Sequence, residues 1–354
     1  MSSQKKVTLR DVARLAKVSP STVSRVVTRS AWVSPEIEAR VRSVARKHGL
    51  DLESKIKARV IAFVLSNRDM LHPFHSRVLV GAEAYCTAHG WDILFLTFRY
   101  PAGIPASDVR LPDVLRRRDL VRAVILAGAN SPNLLGALKD QGLPFAVLGN
   151  NVEGDWRAED YDVVWSDDVA GSVELTRYFL SLGHRDIWFV GNRRLPWSAR
   201  SCQGYSQVMQ ETGLAPRVSS INSLDDEDLG YLGTKSILSR NEPISAVIAS
   251  SDQAAAGVYR ALRDSQKRVA DDISVAGFND TEATVLQPPL TSVREFGQEI
   301  GRHLAEQVIN RIHQPDLPPQ NVIVPTELIK RASCREFSPD RRADTGRLAA
   351  PAVS

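Results

Sequence analysis

Apolar residues recur at helical spacing near the start of the chain. The residues of the first such group are Leu9, Val12, Ala13 and Ala16. Their i, i+3, i+4, i+7 spacing places them on one face of a helix. Thr8 precedes the group and Asp11 follows Thr8 by three positions, a pairing that is typical of a capped helix start. The pattern predicts a short first helix.

A second helix is predicted after the four-residue turn 16–19. Ser19 is its expected cap, and Pro20 takes the first helical position, where a missing N–H costs nothing. The residues expected to face inward are Val23, Val26 and Val27. The polar residues expected to face outward are Ser21, Arg25 and Thr28. The spacing thus gives this helix a polar stripe directed away from its apolar side.

A third helix is predicted from Ser34 and Pro35 to about His48, with Gly49 as its stop signal. Its apolar positions are Ile37, Val41, Val44 and Ala45. Three helices this short are stable only when their apolar faces pack together. The first fifty residues are therefore expected to form a three-helix domain with a helix-turn-helix.

From residue 60 onward, short apolar runs alternate with helical segments. The runs are 60–66, 92–98, 123–127, 145–149, 163–166, 187–191, 218–224, 246–250 and 274–278. The helical segments include 77–88, 169–182, 203–211, 253–263 and 298–312. Runs that are apolar throughout are typical of parallel strands buried on both faces. The alternation predicts an α/β fold with doubly wound parallel sheets, divided into two lobes of four to six strands.

These patterns predict the domain boundaries. The helix-turn-helix domain is expected at 1–50, a short linker at 51–59, a two-lobed domain at 60–337, and a disordered tail at 338–354. Within the two-lobed domain, the N-lobe is expected at about 60–163 and 291–324, and the C-lobe at about 164–290 and 325–337. The tail is polar and rich in small residues, a composition that is typical of disorder.

Charge is distributed unevenly between these parts. Residues 1–59 contain 14 Lys or Arg and 5 Asp or Glu, whereas the remaining 295 residues contain 31 and 36. A basic head attracts phosphates, and an acidic body avoids them. Together with the polar stripe of Ser21 and Arg25, this predicts a DNA-binding head. The helix pattern by itself also fits a small bundle that contacts other proteins.

Composition excludes several other classes of protein. No run of 18 apolar residues is present, so we expect no membrane partner. The first residues lack the apolar core of a secretion signal, which predicts a cytoplasmic protein. The three cysteines are widely spaced, as in reduced thiols. We expect no catalytic residues, no metal and no cofactor, because the common catalytic and phosphate-binding motifs are absent. His72 and His75 are interpreted as ordinary loop histidines rather than metal ligands.

Polar residues follow five of the apolar runs, at 66–67, 149–151, 166–168, 250–252 and 278–280. The carboxyl ends of parallel strands meet at one edge of a sheet, where ligands bind. Each polar group also fits a second role, as a cap of the helix that follows. Five such groups at corresponding places predict a polar cleft between the lobes, without identifying its ligand.

Several motifs resemble those of the LacI/GalR family of bacterial repressors. The head motifs are 7–13, 18–26 and 33–36; the later ones are 182–187, 204–205, 275–280 and 289–293. The likeness extends over about 7–333. It implies a homodimer of two-lobed, periplasmic-binding-protein-like bodies, each with a head that binds double-stranded operator DNA. It also implies a small effector, a sugar or a sugar derivative, that binds between the lobes and changes operator affinity.

The resemblance also assigns roles to individual residues of the head. Pro20, Ser21 and Arg25 would face base edges, and a guanidinium such as that of Arg25 can bind guanine O6 and N7 together. Residues suited to phosphate or backbone contact are Thr8, Ser19, Thr22, Ser24 and Thr28. Leu9 completes the expected DNA-binding set.

Two segments depart from the family pattern. The linker 51–59 lacks the family's usual hinge signatures, so a plain linker and a hinge helix with Leu52 or Ile56 as a minor-groove wedge both stay open. In the cleft, Ser201 occupies the place of a frequent arginine, and Asn279 that of a frequent aspartate. The residues expected to bind effector are Phe74, Arg200, Ser251, Asp252 and Asn279. Phe74 fits core packing equally well.

These observations predict a dimeric, sequence-specific transcriptional regulator, expected to be a repressor. An activator or dual regulator of the same family fits the same residues. A solute-binding protein would share the two-lobed body, but this function does not explain the basic head. A sugar-modifying enzyme is a third reading, for which we find no catalytic constellation.

Overall fold

The computed structural model describes residues 8–28, 32–48, 50, 58–68 and 72–338, without the side chain of Thr28. The predictions for Gly49, for the hinge segment 51–57 and for the tail 339–354 lie outside these residues. Within the part that is described, no helix combines the length and the apolar character needed to cross a bilayer.

The described chain divides into two compact units. The first contains the described residues of Met1–Ile61 together with Leu111–Arg122; the second contains Ala62–Arg110 and the chain from Ala123 onward. Inside the first unit, the N–H of Ala58 donates to the carbonyl of Asp119 at 3.2 Å. The sequence places 111–122 in the 60–337 body, because a contact between distant segments leaves no local pattern. In the structure, residues 111–122 belong instead to the first unit.

The head has the three predicted helices: α1 is Leu9–Leu15, α2 is Pro20–Thr28 and α3 is Pro35–Lys47. Their shared core consists of small apolar side chains: Val12, Ala13, Ala16, Val23, Val26, Val27, Val41 and Ala45. Leu9 and Ile37 pack against this core from its edge. The i, i+3, i+4 spacing predicted this arrangement because it depends only on helix geometry.

The turn between α1 and α2 is closed by backbone bonds. The N–H of Val18 donates to the carbonyl of Ala13 at 3.0 Å, and Lys17 has a φ of 53°. A residue in the left-handed region at this point ends α1 and lets the chain reverse towards α2. The side chain of Lys17 is exposed and does not pack in the head core.

The body contains twelve strands among its described residues. They are β1 (Val60–Ser66), β2 (Asp92–Phe98), β3 (Val121–Leu126), β4 (Phe145–Leu148), β5 (Asp162–Ser166), β6 (Ile187–Val190), β7 (Arg217–Val218), β8 (Ala246–Ala249), β9 (Ser274–Asn279), β10 (Thr291–Glu295), β11 (Asn321–Val324) and β12 (Thr326–Ile329). Its helices are α4 (Pro73–Ala88), α5 (Asp113–Arg116), α6 (Pro132–Asp140), α7 (Asp168–Ser181), α8 (Pro196–Glu211), α9 (Asp226–Ser239), α10 (Asp252–Asp264) and α11 (Gly297–His313).

The strands form two six-stranded sheets, which confirms the predicted fold class. The order is β11-β5-β4-β3-β1-β2 in the first sheet and β12-β10-β9-β8-β6-β7 in the second. Pairing is parallel at β3–β4, β4–β5 and β5–β11, and through the second sheet except at β10–β12. In the second sheet, Ile248 lies opposite Phe189 and Ala276, and all three are buried in one core.

The lobe boundaries differ from those predicted. All of β5 belongs to the first sheet, although residues 164–166 were assigned to the C-lobe, and β10 belongs to the second sheet, although 291–295 were assigned to the N-lobe. The chain changes sheet after β5, after β10 and between β11 and β12. Such changes are set by tertiary pairing, which the local pattern does not contain.

The predicted strand 218–224 is wrong over most of its length. Only Arg217 and Val218 pair with β6, and Leu224 is 84% exposed. Its apolar residues are therefore not those of a buried strand. Three further strands, β10, β11 and β12, were not predicted, because their polar and charged residues break the apolar runs.

Glycines allow α4 and α11 to cross closely. A Cβ on Gly301 would lie 1.9 Å from the carbonyl oxygen of Val78, and one on Gly81 would lie 2.0 Å from that of Gln298. No other residue fits at these separations without moving a backbone. The crossing fixes α4, whose first turn carries residues of the cleft described below.

Candidate functional site

The first candidate surface is the exposed face of α2. Pro20, Ser21, Ser24 and Arg25 are exposed, whereas the three valines of this helix are buried in the head core. The expected polar stripe is therefore present for the residues that are described. A helix with one fully buried side and one polar side can enter a DNA groove while the rest of the domain holds it.

Ser19 and Thr8 cap the helices of the head. Ser19 Oγ accepts the N–H of Thr22 at 3.0 Å and lies 2.7 Å from Ser21 Oγ. Thr8 Oγ1 accepts the N–H of Asp11 at 3.3 Å, and the Asp11 carboxylate accepts the N–H of Thr8 at 3.0 Å. Both hydroxyls thus orient the helix starts. This gives them a structural role besides the predicted DNA contact.

The second candidate site is a small cavity at the carboxyl ends of the strands, between the two sheets. Of the five predicted effector residues, Phe74, Ser251 and Asn279 line it. The lining residues that sequence reasoning did not predict are Arg68, His72, His75, Asn150, Asn151, Trp197, Asp226 and Glu295. Asn150 and Asn151 belong to a polar strand end that the sequence did mark.

The structure places Arg200, another predicted effector residue, behind the cavity wall. Arg200 Nε donates to both carboxylate oxygens of Asp168, at 2.9 and 3.1 Å, and its guanidinium lies 4.9 Å from the ring centre of Trp165. Asn150 Nδ2 also donates to Asp168, at 2.8 Å. Burial raises the pKa of Asp168 to about 6, against the opposing effects of Arg200 and Asn150. Arg200 therefore neutralises a buried carboxylate and does not line the cavity.

Asp252, the fifth predicted residue, is also absent from the cavity lining. One of its oxygens accepts the hydroxyl of Ser292 at 2.7 Å, and the other accepts the N–H groups of Thr281 and Glu282 at 2.8 and 3.1 Å. Burial raises the pKa of Asp252 to about 6, although these donors favour the charged form. Asp252 fastens the loop after β9 to the start of α10.

Glu295 forms the floor of the cavity at the end of β10. It is buried, with 9% of its surface exposed, and Asn279 Nδ2 donates to its carboxylate. Burial raises the pKa of Glu295 to about 7; the negative charges of Asp168 and Asp252 act in the same direction, and the side chains of Ser166 and Asn279 oppose them. Near neutral pH this carboxyl can therefore be present in either protonation state.

His72 and His75 belong to the start of α4, not to the loop that the sequence predicted. His72 Nδ1 accepts the N–H of Phe74 at 3.2 Å and so caps the helix. His75 Nε2 accepts from Asn151 Nδ2 at 3.0 Å. Burial lowers the pKa of both imidazoles, that of His75 well below 6.5. Each ring is therefore neutral at neutral pH, with its proton on the nitrogen that does not accept.

A larger cavity of about 550 Å³ opens at the opposite ends of the strands, near the starts of β8 and β9. Lys235, Glu242 and Asp271 are among its lining residues. In open α/β sheets, ligands bind at the carboxyl ends of the strands, where the loops present polar groups. The cavity lined by Phe74 is accordingly the candidate effector site.

Comparison with known proteins gives matches over both parts of the chain. The family described as bacterial regulatory proteins, lacI family, matches residues 8–50, and the periplasmic binding protein-like domain matches residues 176–334. The chain is 26% identical over 337 residues to the ribose operon repressor of Haemophilus influenzae, covering 92% of this chain and 98% of that repressor. It is 28% identical over 343 residues to the HTH-type transcriptional regulator DegA of Bacillus subtilis, covering 93% and 98%.

Solved structures with the same fold include a complex of the transcriptional regulator CelR with cellobiose. That structure is 27% identical, has a TM-score of 0.68, and the match covers 93% of this chain and all of CelR. A Lac repressor dimer bound to operator has a TM-score of 0.70 at 21% identity, and the match covers 94% of this chain and all of that one. The relatives are regulators of transcription rather than enzymes.

Proposed function

We propose that this chain, which belongs to the LacI family of bacterial regulatory proteins, is a sequence-specific regulator of transcription that represses by binding operator DNA. Its operator affinity is set by a small sugar-like effector in the cleft lined by Phe74. It acts as a homodimer in the cytoplasm, where its DNA is. The two heads of a dimer bind two half-sites, which is the arrangement that two-fold symmetric operators require.

The observation that carries the DNA-binding part is the exposed polar face of α2 on a basic head. Pro20, Ser21 and Arg25 lie on that face and are assigned to base edges, with the Arg25 guanidinium suited to the two acceptors of a guanine. The residues assigned to the DNA backbone are Thr8, Ser19, Thr22, Ser24 and Thr28, and Leu9 completes the DNA-binding set. The excess of basic residues in 1–59 supplies attraction that does not depend on sequence.

The effector part is supported by the cavity at the strand ends. Its lining combines an aromatic wall with amide, carboxylate and cationic side chains, a composition that suits a small hydroxylated ligand. The relatives include a ribose operon repressor and a regulator solved with cellobiose. Effector binding biases the arrangement of the two lobes, and each arrangement sets the spacing of the paired heads.

The DNA-binding part is tested with the full chain and a random DNA library. The enriched site is then titrated with the unaltered protein, with Arg25→Ala and with Arg40→Ala, which removes an exposed arginine from α3 as a matched control. We expect Arg25→Ala to weaken binding to the enriched site by about 1–3 kcal/mol and to relax the choice at one base. Equal losses on enriched and unrelated DNA would contradict the assignment of Arg25.

The effector part is tested by thermal shift with a panel of sugars, sugar acids and sugar phosphates. Each compound that stabilises the protein is then tested for a change in affinity for the enriched DNA site. A compound that stabilises the protein by binding in the cleft and leaves DNA affinity unchanged would overturn the regulatory role of the cleft.

A further inference from the structure

The cleft contains a half-buried arginine that makes no ion pair with any residue that the structure describes. Arg68 follows β1, lines the cavity and stacks its guanidinium 4.3 Å from the ring centre of Trp197. None of the described residues forms a hydrogen bond with this guanidinium. Asp226 and Glu153 attract it over longer distances. A guanidinium carries five N–H donors, and leaving them unmatched where water is partly excluded is costly.

The two histidines at the start of α4 add further donors to the same cavity. Because His72 Nδ1 accepts from a backbone N–H, its proton lies on Nε2, which faces Asp226 at 3.9 Å and interacts with the side chain of Gln253. Because His75 Nε2 accepts from Asn151, its proton lies on Nδ1, which is buried and has no partner among the described residues. His75 is 4% exposed. Unpartnered buried donors in a ligand cavity are positions that a ligand's acceptors fill.

The same cavity also offers acceptors, which begin beside His72. Asp226, at the start of α9, accepts the hydroxyl of Ser251 at 2.9 Å and keeps a carboxylate oxygen at the cavity. Glu295 and Asn279 close the floor. A ligand that satisfies both sets of groups needs an acceptor-rich group near Arg68 and His75 and a hydroxyl beside His72 and Asp226. A neutral sugar supplies hydroxyls but brings no negative charge into direct contact with the Arg68 guanidinium.

We propose that the effector is a hydroxylated acid, whose anionic oxygen group binds Arg68 and His75 and whose hydroxyl groups bind between His72 and Asp226. The anionic group is a carboxylate or a phosphate, since both present several acceptors to a guanidinium fork. This inference rests on the proposed function, because it names the chemical class of the effector in the same cleft. Trp197 holds the guanidinium plane from behind and limits the directions in which its N–H groups can point.

The test compares matched ligands on the full-length protein. Dissociation constants are measured by calorimetry for glucose, glucuronate, gluconate and glucose 6-phosphate, and for ribose, ribonate and ribose 5-phosphate. We expect at least one acid to bind about 10- to 100-fold more tightly than its neutral counterpart, the range for a charge-assisted hydrogen bond. Binding by the carboxylates alone or by the phosphates alone identifies which anionic group the cleft takes, and either result supports the inference.

Variants of Arg68 test whether this residue causes the preference for the acid over the neutral sugar. Arg68→Gln is expected to reduce the preference for the acid to within a few-fold, whereas Arg68→Lys keeps the charge and part of the preference. Arg177→Gln, which removes a surface arginine paired with Glu211, is the matched control and should leave the preference unchanged. A neutral sugar that binds as tightly as its acid, or a preference that survives Arg68→Gln, overturns the inference while the regulator itself stands. No response to any compound overturns the sugar-like effector, and this inference with it.

Discussion

Replacing Glu295 by glutamine tests whether the floor of the cleft carries the electrostatic strain that its burial implies. The carboxyl is buried, and its pKa rises from 4.5 to about 7 on folding. Below pH 4.5 the group is protonated in both states and costs nothing. As the pH rises through 7, the folded state must hold a charge that the unfolded state hydrates freely, so stability is lost. The full loss is about 3 kcal/mol, from 1.36 kcal/mol per tenfold change in proton affinity.

Glutamine resembles the protonated form and still accepts from Asn279, so Glu295→Gln removes this loss. Relative to the unaltered protein, the free energy of unfolding of the variant should increase by about 2 kcal/mol between pH 5.5 and pH 8. Asp168 and Asp252 titrate in the same range, but both proteins contain them, so their direct contributions cancel. Loss of the Glu295 charge also lowers the pKa of Asp168 in the folded state. This stabilises the variant further as the pH rises, in the same direction as the main effect.

The measurement is urea unfolding of the full-length protein at pH 5.5, 6.5 and 8, followed by tryptophan fluorescence and circular dichroism. Glu174→Gln, an exposed position on α7, is the matched control and should shift stability equally at each pH. A stability difference between Glu295→Gln and the unaltered protein that does not change with pH would refute the reasoning. A difference that grows as the pH falls would refute it more strongly, since it has the wrong sign.

Two further changes test the packing that shapes the cleft. Arg200→Ala leaves the buried carboxylate of Asp168 without its cation. The free energy of unfolding should fall by about 2–3 kcal/mol at pH 8, and by less at pH 5, where Asp168 is protonated. Equal losses at both pH values would contradict the role of the pair. Gly301→Ala should lower the free energy of unfolding by about 1–3 kcal/mol or prevent folding, because its Cβ would lie 1.9 Å from a backbone oxygen of α4. Gly103→Ala, which has open space around it, is the control and should leave thermal unfolding nearly unchanged.

The head could be predicted from sequence because its determinants are local. The capping box of Thr8 and Asp11 and the cap at Ser19 involve residues at most three positions apart, and the core follows helical spacing. Each of these patterns is complete within one helix or turn. The exposed face of α2 then follows, because the side that does not pack must face away.

The sequence predicted where the cleft lies but not the contacts of its side chains. Polar strand ends marked the correct edge of the sheets and included Ser251 and Asn279. They did not show that the ion pair with Asp168 occupies Arg200, or that Arg68 has no such partner among the described residues, because both outcomes depend on atoms far apart in sequence. The prediction for the histidines is wrong for a local reason: a proline between them suggests a loop, but it is the first residue of α4.

The positions of the charges in the cleft explain why an acidic effector could also act on the fold. Glu295 ends β10 in the second sheet, whereas Asp168 follows β5 in the first, so the two carboxyls that repel one another belong to different lobes. Arg68, which pairs with no anion among the described residues, follows β1 of the first sheet, and Asp226 begins α9, which packs on the second. A ligand that bridges Arg68 and Asp226 would therefore contact both lobes. Under the proposed function, its binding would favour the lobe arrangement in which both contacts form, and this is how an effector can control a regulator.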